Sequence, residues 1–110
     1  MCSSACPSAD GRPTAVPTVQ VDNEHLIITE WRFAPGAQTG HHRHAYAYAV
    51  VPMTSGTLRL ETPQGVVDSE LVAGRSYARP AGVEHNVINA SDGEFVFIEI
   101  ELKSTALADA

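Results

Sequence analysis

Four histidines in two groups carry the chemistry that this sequence could perform. His41, His42 and His44 fall in one stretch and His85 in another. In an extended strand, residues two apart share a face, so His42 and His44 project together while His41 and Arg43 point away. Two imidazoles on one face supply adjacent positions on a divalent ion, and His85 would complete a set of three. A site with three protein ligands keeps room for water or substrate. Tyr46 and Tyr48 follow His44 at the same two-residue spacing and are the candidate catalytic side chains. Their phenols would line the mouth to orient a substrate or donate a proton; the alternative is packing on a neighbouring strand. Arg59 and Arg79 are candidates for attracting an acidic substrate. Val51 and Met53 would furnish apolar surroundings for His85, with Glu84 pointing outward beside it.

These side chains need strands to carry them, and the chain supplies strands almost throughout. His25 to Phe33, Thr39 to His44, Ala47 to Val51, Thr57 to Thr62, Val66 to Leu71, Ser76 to Arg79, Glu84 to Asn89 and Glu94 to Leu102 read as extended, with β-branched and aromatic residues between Gly, Pro, Asn and Asp punctuation. Val19 to Val21 adds a short strand. Pro63-Gln64-Gly65 reads as a hairpin turn. In the last strand Val96, Ile98, Ile100 and Leu102 share one face, and Phe95, Phe97, Glu99 and Glu101 the other. With no amphipathic helix of useful length, the pattern predicts an all-β sandwich or barrel. Residues 1–18, rich in Ser, Ala, Pro and Gly, read as a flexible N-terminal arm, 19–103 as the barrel and 104–110 as a C-terminal tail.

Composition narrows the partners. The 110 residues carry thirteen acidic against seven basic side chains, a net charge of −6, and Lys103 is the single lysine. No basic cluster is available to neutralise phosphates, which excludes nucleic acid and anionic membrane surfaces as expected partners. No apolar run approaches the ~20 residues that span a bilayer. No basic segment followed by an apolar stretch opens the chain, so the expectation is a cytoplasmic protein. Cys2 and Cys6, both in the first six residues, imply no disulfide framework; a metal pair, a local disulfide or an incidental feature all stay open. The remaining partner is a small molecule.

The spacing around the histidines carries a family resemblance. Gly74-x5-Pro80-x-Gly82-x2-His85-x3-Asn89 matches the second cupin motif at every fixed position, and Gly36-x5-His42-x-His44, followed by Gly56, matches most of the first. The chain resembles a small single-domain cupin, which implies an antiparallel jelly-roll β-barrel (a double-stranded β-helix) with a metal in its mouth. Pro80 and Gly82 would form a corner that aims His85 inward, opposite the strand of His42 and His44. Asn89 would be a structural hydrogen-bonder. One departure stands out: where cupins place a glutamate after the second histidine, this chain has Tyr48 or Ala49, and Ala45 to Gly56 contains no acid.

The resemblance therefore implies a three-histidine site without the usual carboxylate, His42, His44 and His85 being the ligands and His41 a fourth only if a bulge re-aims it. Such a centre keeps more positive charge and favours an anionic ligand. Three-histidine iron cupins resemble thiol and diketone-cleaving dioxygenases. The leading expectation is thus a mononuclear non-haem Fe(II) dioxygenase acting on a small anionic or enolisable substrate. The alternatives are a lyase or isomerase using zinc, nickel or manganese as Lewis acid, and a non-enzymatic binding cupin; copper also suits three imidazoles. Cupins of this size imply a homodimer.

Overall fold

A computed structural model describes residues 11–105. Among the described residues, nine antiparallel strands form two sheets: β1 (Val16–Asp22), β2 (Leu26–Phe33), β9 (Phe95–Leu102), β4 (Ala47–Pro52) and β7 (Tyr77–Arg79) in that order in one, and β3 (His42–Arg43), β8 (Glu84–Asn89), β5 (Gly56–Thr62) and β6 (Gly65–Leu71) in the other. A 3-10 turn, Lys103–Thr105, ends the described chain. The all-β expectation holds. Among the described residues no helix is long and apolar enough to cross a membrane.

Alternation decides what lies between the sheets. Phe33, Val50, Leu58, Val87, Phe95 and Phe97 are buried there, with the Phe33 and Phe97 rings 5.4 Å apart. In an antiparallel pair, residues directly opposite each other point to the same side. The registers Phe33↔Phe95 and Trp31↔Phe97 on one flank of β9, and Pro52↔Phe97 on the other, therefore turn the aromatic face of β9 inward. The sequence offered two apolar faces in this strand, and the bulkier one is the interior one. Its consequence for the site is that Glu99 and Glu101 go inward as well.

Two segments differ from the sequence reading. The first strand starts at Val16, and Ala15 is buried, because Ala15 and Gln38 exchange backbone hydrogen bonds with their surroundings: Ala15 N donates to Gln38 O and Gln38 N to Pro13 O. Residues 13–18 of the expected arm are thus fastened to the barrel, while residues 1–10, with Cys2 and Cys6, lie outside the described residues. The expected strand Thr39 to His44 shrinks to His42–Arg43, because Gly40 adopts a positive φ of 88° that interrupts it. The hairpin turn is found as expected, with Thr62 opposite Gly65 across Pro63-Gln64.

Candidate metal centre

The two histidine stretches are brought together by backbone. Gly36 N donates to Asn89 O, Asn89 N to Ala37 O and Thr39 N to Val87 O, while Gly40 N donates to Asn86 Oδ1. The chain from Gly36 onward is thereby zipped along β8 until His42 lies opposite His85 in the β3–β8 register. His44 sits just beyond β3, and the Pro80–Gly82 corner grips it from both sides. His44 N donates to Val83 O and Gly82 N to His44 O, each at 2.8 Å. The corner expected to aim His85 therefore also seats His44, at the cost of a φ of 98° that favours glycine at position 82.

The three side chains converge. His44 Nε2 lies 3.0 Å from His42 Nε2 and 3.1 Å from His85 Nε2. Ligands about 2.1 Å from one ion, at octahedral to tetrahedral angles, stand roughly 3.0–3.4 Å apart, so the spacing is that of neighbouring positions on a metal. His42 Nδ1 is 2.9 Å from the Gly40 carbonyl oxygen; a carbonyl only accepts, so Nδ1 carries the proton and Nε2 presents its lone pair. One proton on His44 Nε2 could not satisfy both neighbours well, whereas one cation would. Burial, then the neighbouring His42 and His85, lowers the His44 pKa to about 3. Burial, followed by His42, His41 and Arg79, lowers that of His85 to about 4, and burial also lowers His42. All three are neutral at pH 7, as ligation requires. The residues fit a divalent transition metal ion.

The histidines open into a cavity of about 540 Å³ between the sheets, lined on its apolar side by Val50, Leu58, Leu60, Val87 and Phe97. A cupin-domain family model matches residues 29–101. The chain belongs to the cupin family. This cupin is 68% identical over 93 residues to the beta-alanine degradation protein BauB of Pseudomonas aeruginosa, covering 84% of this chain and 98% of that protein. It is 66% identical to a cupin domain from Bordetella pertussis whose crystal structure superimposes with a TM-score of 0.82, covering 84% of this chain and 96% of that one. The polyketide cyclase RemF of Streptomyces resistomycificus shares the fold at 16% identity and a TM-score of 0.68, over 84% of this chain and 68% of its own.

Around the cupin site, the structure sorts the other candidates. Tyr48 is buried and stacks on the His44 ring at 3.9 Å, fixing that imidazole. Burial, then Tyr77 and Glu99, raises its pKa, so the phenol stays a donor. Tyr46 is not among the cavity-lining residues, because the chain bends at Ala45 and Tyr46 between β3 and β4 and breaks the two-residue periodicity. His41 is exposed, with its Nε2 3.7 Å from Glu84 Oε1, as strand parity requires. Val51 and Met53 do not line the cavity; Met53 is 56% exposed. Arg59 pairs with Asp68 on the surface. Arg79 reaches the cavity mouth, its guanidinium 4.9 Å from the Tyr77 ring centroid.

Sequence reasoning missed the carboxylates. The expected carboxylate-free site holds only for the segment from Ala45 to Gly56. Glu101 pairs with Tyr48 and Glu99 with Val50 across β4–β9, so acids stand one strand away from the position where cupins usually carry theirs. One ligand-type atom each of His44, Glu99 and Glu101 lies within 4.8 Å of the others. Glu99 is only 8% exposed; burial, then Glu101, raises its pKa to about 7. The Trp31 indole N–H offsets part of that rise, although its buried Nε1 reaches no hydrogen-bonding geometry with any partner. The signal that could have found these acids was the placement of Phe95 and Phe97 on their face.

Proposed function

We propose that His42, His44 and His85 hold one divalent transition metal ion, Fe(II) by preference, and that this cupin is a mononuclear non-haem dioxygenase acting on a small substrate that is anionic or enolisable. The convergence of three neutral imidazole nitrogens on the wall of a cavity carries the reading. A bound Fe(II) would supply the electrons for O2 chemistry. The chain's own residues would do the rest. Tyr48 holds the His44 ring by stacking, Arg79 draws an anionic end toward the mouth, and the apolar walls exclude bulk water from the bound substrate. Similarity to a beta-alanine degradation protein supports a substrate of the β-alanine class or a compound derived from it. Elemental analysis of the purified protein, combined with oxygen-electrode assays, tests the proposal: iron with substrate-dependent O2 consumption supports it, and tightly held zinc with no O2 use sinks it.

A second reading, a lyase or isomerase using zinc, nickel or manganese as Lewis acid, is favoured by the burial that keeps all three imidazoles neutral, since such ligands leave the ion's charge available to polarise a carbonyl. Turnover under argon separates the two. A homodimer is part of the proposal, with β1 as the contact: it is an edge strand, and Val16, Val19 and Val21 are exposed along it. Light scattering that gives a monomer mass at micromolar concentration would remove that part.

A further inference from the structure

The proposed three-histidine site leaves the inward acids of β9 without an assigned role. Glu99 is more than nine-tenths buried and Glu101 half-buried, both line the cavity, and neither makes an ion pair with any described residue. Two arginines line the cavity, Arg43 and Arg79; Arg79 is held over Tyr77 and donates to the Ala78 carbonyl. A buried carboxylate without a cation is a costly arrangement unless something else supplies the charge. The Trp31 Nε1 is buried beside Glu99 and reaches no hydrogen-bonding geometry with it. Carboxylate oxygens within 4.8 Å of each other can both reach a single ammonium placed between them at charge-assisted hydrogen-bond distance, ~2.8 Å from each.

We propose that Glu99, assisted by Glu101, seats the ammonium group of a small primary amine in this cavity, its other end directed toward His42, His44 and His85. The inference deepens the proposed function and rests on it for the orientation of the ligand. It also resolves a tension in the site. An anion alone would meet two glutamates, and an amine alone would meet a metal and Arg79. A zwitterion complements both ends.

The test compares β-alanine with butyrate, which replaces the ammonium by a methyl group at nearly constant shape. Calorimetric titration of the zinc-loaded full chain should give about tenfold or tighter binding of β-alanine, the range expected for a charged hydrogen bond. Glu99→Gln should bring the ratio close to one while leaving zinc stoichiometry at one per chain. Glu101→Gln should lower the ratio less, and it serves as the variant to read if the first does not fold. Equal binding of the two ligands by the wild type, no binding of either, or a ratio unmoved by both variants overturns the proposal. So does a second zinc per chain that Glu99→Gln removes, since the acids would then be metal ligands. The same titrations on metal-free protein keep the two ideas apart: a failed metal site leaves the β-alanine preference measurable, whereas a wrong assignment of Glu99 abolishes it with the metal in place.

Discussion

His42 lies directly opposite His85 in the β3–β8 register, although the two stand 43 positions apart in the sequence (85 − 42). His44, seated by the Pro80–Gly82 corner, brings its Nε2 to within 3.1 Å of both. The triad is therefore rigid through backbone, two of its members being held by the segment that carries the third.

Removing one member should disable it. His85→Ala is expected to lower metal affinity at least tenfold, leaving circular dichroism unchanged. A metal present at 100 to 1,000 times its dissociation constant stabilises the folded chain by about 3–4 kcal/mol, so the thermal shift on adding metal should largely vanish in the variant. Wild-type metal content in His85→Ala would refute the triad.

The pH dependence has two opposed contributions. His44 and His85 have folded pKa values of about 3 and 4, below the ordinary 6.5. Between these limits the unfolded chain binds more protons, so their contribution to stability is complete above pH 6.5 and is lost as pH falls toward 4. Glu99 runs the other way: its folded pKa of about 7 exceeds the ordinary 4.5, so its contribution is complete below 4.5 and is lost as pH rises through 7. In urea denaturation of metal-free protein, the stability of Glu99→Gln relative to wild type should grow from pH 4.5 to pH 8. A constant difference would mean that Glu99 is not buried as described.

Asn89 ties the two motifs together. It is 1% exposed; its Nδ2 donates to the Phe33 and Gly93 carbonyls at 3.1 and 2.8 Å, and its Oδ1 accepts from Ser91 N. Asn89→Ala leaves several buried groups without partners and should cost about 3 kcal/mol by urea denaturation, with metal stoichiometry retained in the folded fraction. Loss of less than about 1 kcal/mol would contradict the network.

Gly56 is required by contact and not by backbone angle. A Cβ there would press on Ser91 Oγ and stand 2.9 Å from Phe95 Cδ2. Ser91 Oγ is anchored by the Thr57 N–H at 2.7 Å, and Phe95 is fully buried, so neither can yield cheaply. Gly56→Ala should destabilise by about 1–3 kcal/mol, read as a lowered urea midpoint with an unchanged slope.

By itself, the sequence determined the family, the strand content and the position of the histidines, because two motifs with fixed spacing and period-2 alternation are local properties of the chain. Parity alone kept His41 out and brought His42 and His44 together. Only tertiary structure decided the rest. Residues 13–18 looked like an arm until Gln38 supplied partners for the backbone around Ala15. Tyr46 looked equivalent to Tyr48 until the bend before β4 separated them. Above all, β9 offers two apolar faces, and nothing within it says which one enters the barrel. Pairing with β2 and β4 turns the phenylalanines inward, and because side chains alternate strictly along a strand, Glu99 and Glu101 must follow them into the cavity beside His44.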